Sequence, residues 1–116
     1  MKYTIEKEEN LAVVSIQGDI LSEVEDNELL GALQEIVDDE IVYFIIDLKE
    51  VGNMNSSGLN LLLKILSKSR TASGDIVLSG ITERLSKLMI ITRIQSMFNI
   101  ASNVEEAKKI LLEKVN

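Results

Sequence analysis

The sequence contains no histidine and no cysteine among its 116 residues. Without histidine, neither a Ser-His-Asp nor a Cys-His catalytic arrangement can form within the chain. Without both residue types, a zinc site lacks its usual ligands, and disulfide and thiolate chemistry are excluded. The six glycines are scattered singly, so there is no glycine-rich phosphate loop of the Walker or dinucleotide type. The sequence therefore predicts a protein that is not an enzyme and has no cofactor and no metal site.

Charge and hydropathy exclude two further classes of function. The chain carries 12 basic and 19 acidic residues, a formal net charge of −7, whereas nucleic-acid binding draws on basic patches. We therefore expect no nucleic-acid partner. No apolar run approaches the roughly 20 residues of a membrane helix, and the first seven residues lack the apolar core of a signal peptide. We expect a cytoplasmic location and no direct membrane insertion.

Length and composition indicate one folded domain. A chain of 116 residues has the size of a single domain. A hydrophobic content of 46% is too high for a disordered chain and ordinary for a globular one. We see no linker, internal repeat or low-complexity segment. The prediction is one domain over residues 1–116.

The most informative stretch lies between residues 41 and 70. It begins with an unbroken apolar run at 41–46, rich in β-branched and aromatic residues, which predicts a strand buried on both faces. Leucines then recur at helical spacing and predict a helix from about residue 57 to 71. These leucines are Leu59, Leu62, Leu63 and Leu66. The residues between the two elements have side chains typical of loops and helix N-caps: Asn53, Asn55, Ser56, Ser57 and Gly58.

Patterns on both sides of this stretch predict the remaining elements. Residues 2–7 and 11–17 are typical of an antiparallel hairpin. Ser22 and Glu25 form a candidate capping box for a first helix ending at about 37–39. Its apolar stripe consists of Leu29, Leu30, Leu33, Ile36 and Val37. Farther along, Ser73-Gly74 is predicted to stop the second helix. The last elements are a strand at 76–78, a helix from Thr82 to about Thr92, a strand at 97–100 and a helix capped by Ser102 or Asn103.

The predicted order is strand-strand-helix-strand-helix-strand-helix-strand-helix. Alternating strands and helices indicate parallel strands joined by helical crossovers. The opening hairpin adds one antiparallel pair, so the sheet is mixed. The predicted fold class is α/β, a mixed and mostly parallel sheet with an N-terminal hairpin and about four helices.

The segment Met54-Asn55-Ser56-Ser57-Gly58, followed by Leu59, resembles the Met-Asp-Ser-Ser-Gly signature of STAS domains. The likeness is greatest to the bacterial anti-sigma factor antagonists, and the order of elements agrees along nearly the whole chain. The resemblance implies a STAS-like single domain and a regulatory binding module. Such a module binds a serine kinase that is also an anti-sigma factor, frees the sigma factor, and is released when phosphorylated. A serine phosphatase is a second candidate partner.

The resemblance also implies roles for individual residues. Ser56 matches the serine that the cognate kinase phosphorylates, because it directly follows the position of the family's acidic residue. That position holds Asn55 here. The family's Gly-x-Leu-Asp segment reads Gly18-Asp19-Ile20-Leu21, so Leu21 replaces its acid. The predicted partner-binding residues are Asn53, Met54, Asn55, Ser56, Ser57, Gly58, Leu59 and Asp19.

Several alternatives remain open from the sequence. Ser56 and Ser57 could serve as helix caps alone, without any switch. The chain could also be a STAS subunit of another system, such as a lipid-transport ATPase complex, or a small hydrolase using Ser56. Asp47 is interpreted as a strand-end residue bonded to loop amides rather than a catalytic acid. Met89, Ile90 and Ile91 are interpreted as core rather than as an interaction patch. The acidic face of the first helix is interpreted as solvated: Glu28, Glu35 and Asp38.

Overall fold

The computed structural model describes residues 1–20 and 23–115. Within these residues five strands run in chain order: β1 (Lys2–Lys7), β2 (Leu11–Gln17), β3 (Tyr43–Glu50), β4 (Asp75–Ser79) and β5 (Asn99–Ala101). The same residues form four α-helices: α1 (Glu23–Asp38), α2 (Ser56–Thr71), α3 (Glu83–Ile91) and α4 (Val104–Val115). A single turn of 3₁₀-helix, Gln95–Met97, precedes β5. The predicted order of elements and the predicted α/β class are confirmed.

The five strands form one sheet in the order β1-β2-β3-β4-β5. The strands β1 and β2 pair antiparallel, and every later pair is parallel, which confirms the predicted mixed sheet. The strand β3 lies at the centre, as expected for a run with no polar side to offer to water. Its carboxyl end therefore lies in the middle of the sheet edge from which the connecting loops leave.

Alternate residues of the central strands divide the core between the two faces of the sheet. Phe44 and Ile46 of β3 pack into the larger cluster, whereas Ile45 packs into the smaller one. The larger cluster takes its helical side chains from α1, α2 and α3, and the smaller one takes Ala107 and Leu111 from α4. The sheet is therefore covered on both faces, with α4 alone against one of them among the described elements.

Several strand boundaries differ from the prediction by one to three residues, and two of these differences have an identifiable cause. The central strand extends to Glu50, because Leu48 is still fully buried and Glu50 still pairs with Gln17. The last strand begins at Asn99 rather than Met97, because the preceding residues close a 3₁₀ turn with a hydrogen bond from Phe98 N to Gln95 O of 3.2 Å. Both errors arise at positions where hydrogen bonding, rather than hydropathy, decides the boundary.

The helix ends follow the predicted cap chemistry where the structure describes it. Thr82 caps α3 by accepting from Leu85 N at 3.2 Å, and Asn103, rather than Ser102, accepts from Glu106 N at 2.9 Å. After α2 the chain turns through Ser73, at φ 70°, into Gly74. A Cβ at Gly74 would lie 1.8 Å from the carbonyl oxygen of Val42, so the close approach to β3 requires glycine there. The predicted capping box of Ser22 and Glu25 lies outside the described residues.

The third helix corrects one prediction. Met89 is fully buried, but Ile90 is 56% and Ile91 77% exposed. The core interpretation of this run is therefore wrong for the two isoleucines. The helix has nine residues and packs one face, through Leu85 and Met89, so the next positions point outward. Among the described residues, no helix is both long and apolar enough to cross a membrane.

Candidate functional site

The loop between β3 and α2 is built against the loop that follows β2. Val51 is fully buried and closes a turn, its N–H donating to Leu48 O at 3.0 Å. The next residues then pair with the neighbouring loop: Ile20 N donates to Asn53 O at 3.1 Å, and Ile20 bridges Met54 in parallel. The two loops thereby extend the pairing of β2 and β3 beyond the strands themselves.

Three segments far apart in the sequence meet at Asn53. Its backbone N–H donates to Asp19 Oδ1 at 3.0 Å. Its side-chain oxygen accepts a hydrogen bond from Arg84 Nη1, in the first turn of α3. The structure thus brings Asp19, predicted from the resemblance, next to the loop. It also adds Arg84, for which the sequence carries no signal, because nothing local links Arg84 to Asn53, a position 31 residues away.

Asn55 is the N-cap of α2. Its backbone is extended, with φ −105° and ψ −170°, and its Oδ1 accepts from Gly58 N at 3.1 Å. The interpretation in which Ser56 and Ser57 cap the helix is therefore wrong. Ser56 is the first helical residue and is exposed, and Ser57 is partly exposed. In the part of the chain that the structure describes, neither serine hydroxyl has a hydrogen-bond partner.

Three residues of the predicted partner-binding set are largely buried: Met54, Gly58 and Leu59. Met54 is 9% and Leu59 6% exposed, and both belong to the larger core cluster. Gly58 lies directly over this layer: a Cβ there would be 2.2 Å from Met54 Cγ and 2.7 Å from the Ile20 carbonyl oxygen. The glycine lets the first turn of α2 rest on the loop below it. The exposed part of the set is Asp19, Asn53, Asn55, Ser56 and, in part, Ser57.

The start of α2 presents the positive end of the helix dipole. Its first turn contains no acidic side chain, and the N-terminus of a helix presents unpaired N–H groups and the positive end of the dipole. Lys68 and Arg70 lie in the last turn, where cations suit the negative end. An anion attached at Ser56 would therefore meet favourable charge from its own helix.

An open groove of about 520 Å³ lies beside the loop. Gly52, Asn53 and Met54 form one wall, and α3 forms the other. The part contributed by α3 consists of Glu83, Arg84, Leu85, Lys87, Leu88 and Ile91. The sequence signal for this groove was the apolar run ending at Ile91, which is wider than one helix face requires.

A model of the STAS domain family matches residues 2–107. The chain belongs to the STAS family. The match spans β1 to the first turn of α4, so it covers every element that builds the site. The resemblance seen in the Met54–Gly58 segment is confirmed at the level of the family.

Solved structures share the fold of this STAS domain at low sequence identity. An anti-sigma factor antagonist from Mycobacterium paratuberculosis is 22% identical, with a TM-score of 0.80 over 96% of this chain and 93% of that chain. A sulfate transporter family protein from Wolinella succinogenes is 19% identical, with a TM-score of 0.75 over 90% and 88%. The Bacillus cell fate determinant SpoIIAA, in its phosphorylated form, is 16% identical, with a TM-score of 0.71 over 99% and 100%. At these identities the likeness shows the fold alone.

Asp47 lies within β3 of the STAS domain, outside the loop of residues 51–55 that leads to Ser56, called the Ser56 loop below. The side chain is 6% exposed, accepts from Lys49 N at 3.2 Å, and lies 3.8 Å from Lys49 Nζ. The carboxylate does accept from a backbone amide, but the predicted loop amides are wrong, because Lys49 lies within β3. The predicted place at the strand end is wrong, because β3 continues three residues farther. Asp47 is a satisfied buried carboxylate.

Proposed function

We propose that this STAS domain is a cytoplasmic anti-sigma factor antagonist. In this proposal it binds a serine kinase that is also an anti-sigma factor, and phosphorylation of Ser56 ends the complex. The observation that carries it is the free, exposed hydroxyl of Ser56 at the first position of α2. Because Asn55 caps the helix, Ser56 is available for modification without loss of a structural hydrogen bond.

The proposed switch follows from the charge of a phosphate at this position. Phosphorylation adds about −1.5 to −2 charges and strong acceptor oxygens. The helix N-terminus tolerates them, so the fold of the domain stays intact. A partner packed flat on the same surface would have to bury that charge, which weakens association. One modification thus changes binding while leaving stability nearly constant.

Asn55 stands at the position where the family usually has an aspartate, and its geometry explains what the replacement keeps. The N-cap bond needs a side-chain oxygen, which asparagine and aspartate both provide. What is lost is the negative charge beside Ser56. A kinase that uses this carboxylate would phosphorylate the chain slowly, so we expect Asn55→Asp to accelerate phosphorylation.

Two further lines support a binding module rather than an enzyme. The chain has no histidine, and no described residue places a base within hydrogen-bonding distance of the Ser56 hydroxyl. An antagonist from Mycobacterium paratuberculosis and SpoIIAA in its phosphorylated form share the fold. The Wolinella succinogenes structure favours a second candidate, in which the domain is a subunit or part of a membrane transporter. That role includes the lipid-transport ATPase alternative and requires no anti-sigma kinase.

The proposal is tested with the serine kinase-type anti-sigma factor of the same organism. Wild-type protein and Ser56→Ala should bind it with similar affinity in isothermal titration calorimetry, whereas Ser56→Asp should bind at least about tenfold more weakly. With ATP present, mass spectrometry should place phosphate on Ser56 of the wild type and of Ser57→Ala. The Ser56→Asp melting temperature should stay near the wild-type value, because the site is exposed.

Three outcomes would contradict the proposal. Absence of binding by the wild-type protein would contradict the role of anti-sigma factor antagonist and favour the transporter role. Phosphate on Ser57, or equal affinity of wild type and Ser56→Asp, would remove the switch from Ser56. Esterase, phosphatase or ATPase turnover that disappears in Ser56→Ala would replace the binding module with a hydrolase.

A further inference from the structure

The groove between the Ser56 loop and α3 combines an apolar interior with a cationic edge. Leu88 and Met54 line it, and Ile91 stands at its margin with 77% of its surface exposed. Arg84 and Lys87 belong to the same wall. Large exposed apolar side chains beside a concave surface mark contact sites more often than isolated exposed residues do.

The charge of this wall is opposite to that of the chain as a whole. The net charge of the chain is −7, whereas the three charged residues that α3 contributes to the groove, Glu83, Arg84 and Lys87, sum to +1. Arg84 donates one N–H to Asn53, and a guanidinium has five, so donors remain for another group. Lys87 Nζ lies 3.3 Å from Glu83 Oε1, but both side chains are highly exposed, so this ion pair is weak.

We propose that this groove is a second contact for the partner kinase and holds an apolar side chain flanked by a carboxylate. The inference rests on the proposed function and extends it from the Ser56 loop to α3. The two surfaces are continuous, because Asn53 and Met54 belong both to the loop and to the groove. The apolar side chain would pack against Ile91 and Leu88, and the carboxylate would lie beside Arg84 and Lys87.

The charge of the chain argues against another copy of itself as the occupant. A second copy would bring a further −7 to a molecule that already carries −7. The cationic edge instead selects an acidic group. The groove is open along one side, which suits a side chain presented by a protein surface better than an enclosed small molecule.

Two neighbouring isoleucines provide a matched test of the apolar part. Ile91 lines the groove, whereas Ile90 is also exposed but does not line it. Ile91→Ser should weaken binding of the kinase-type anti-sigma factor by about tenfold or more in calorimetry, as loss of one buried aliphatic side chain predicts. Ile90→Ser should bind like the wild type. Both variants should melt like the wild type, since neither side chain is in the core.

Charge reversal tests the carboxylate. Lys87→Glu and Lys109→Glu change the net charge equally, but Lys109 is an exposed residue of α4, which packs on the opposite face of the sheet. Lys87→Glu should weaken binding at least about fivefold more than Lys109→Glu, and the difference should shrink as salt is raised. Equal effects of the two reversals on binding would contradict the proposal that the partner places a carboxylate beside Arg84 and Lys87.

The outcomes separate this inference from the function on which it rests. If Ile91→Ser and Ile90→Ser bind with equal affinity while Ser56→Asp still binds more weakly, the groove is not a contact site, and the proposed switch at Ser56 is unaffected. A loss specific to Ile91→Ser would support the groove even where Ser56→Asp bound normally, a result that overturns the switch. Absence of wild-type binding would overturn both.

Discussion

Gly58 shows how closely the first turn of α2 packs on the Ser56 loop. Its position over Met54 and Ile20 leaves no room for a methyl group. The contact with Ile20 involves a backbone carbonyl, which is fixed by the bridge between Ile20 and Met54. The loop that leads to the predicted phosphorylation site is therefore closely packed against the start of α2, and this packing requires that residue 58 have no side chain.

We expect Gly58→Ala to destabilise the domain by about 1–3 kcal/mol, because an added methyl group overpacks this contact. Urea unfolding followed by circular dichroism measures the change. Adding Met54→Ala removes the 2.2 Å clash but not the 2.7 Å approach to the Ile20 oxygen. The double variant should therefore remain less stable than Met54→Ala alone. Equal stability of those two proteins would show that the backbone contact relaxes freely.

At the scale of single residues, the sequence predicted the residue types of the site better than their roles. Asn55, Ser56 and Ser57 are all good cap residues, so composition could not say which oxygen accepts from the helix. That choice depends on where the first turn begins, and in the structure it begins at Ser56, with Gly58 packed on Met54 and Ile20. Arg84 had no local signal, because its partner Asn53 is reached only through the fold.

Asp75 joins four elements at the end of the sheet opposite the Ser56 loop. It begins β4, and its carboxylate accepts from Ile76 N at 2.8 Å and Asn99 Nδ2 at 3.1 Å. Arg70 Nε of α2 and Lys114 Nζ of α4 each lie 3.4 Å from it. Burial by itself would raise the pKa of Asp75, but the Ile76 N–H, Arg70, Asn99 and Lys114 together lower the pKa below its ordinary value.

This lowered pKa makes the free energy of unfolding depend on pH. At pH values below the ordinary pKa of about 4, the Asp75 carboxyl binds a proton more readily in the unfolded chain than in the folded protein. The free energy of unfolding therefore rises with pH in this range. The contribution of Asp75 is present above about pH 4 and is lost as the pH falls through the lowered pKa. Asp75→Asn should therefore be less stable than the wild type at pH 7. Urea unfolding should show the difference shrinking toward pH 3, and a constant or growing difference would contradict the network.

At the scale of elements, hydropathy predicted which segments are strands and helices, and hydrogen bonding moved their ends. The apolar run at 41–46 located the central strand, but its continuation to Glu50 was not predicted, because Asp47, Lys49 and Glu50 interrupt the apolar pattern around the buried Leu48 and the pairing of Glu50 with Gln17 is not visible in hydropathy. Periodicity located α3 but not its exposed end. The two isoleucines at 90 and 91 are apolar for a reason other than packing in this domain, and the proposed groove supplies one for Ile91.

At the scale of the molecule, two hydrophobic clusters share one sheet. Ile45 and Ile46 are adjacent in β3 and belong to different clusters, so a single strand supports both. Among the described elements, α1, α2 and α3 cover one face of the sheet and α4 covers the other. Loss of either helical layer would expose one face of β3 along its whole apolar length. The two clusters should therefore unfold together.

The two tyrosines allow a direct test of this coupling. The chain has no tryptophan; Tyr3 packs against the larger cluster and Tyr43 against the smaller one. Tyr43→Phe leaves fluorescence that reports the larger cluster, and Tyr3→Phe leaves fluorescence that reports the smaller. Leu111→Ala empties a fully buried position of the smaller cluster and should lower stability by about 2–5 kcal/mol.

The urea midpoint should fall equally in both tyrosine backgrounds, because a cooperative sheet transmits the loss across β3. Leu112→Ala, at the next and half-exposed position of α4, is the control and should change the unfolding free energy by less than about 0.5 kcal/mol. A shift confined to the Tyr43 signal would mean that α4 unfolds from its face independently. In that case the α4 face of the sheet and the face that carries α1, α2 and α3 would be separate units of stability, and a destabilising change in one would leave the unfolding free energy of the other unchanged.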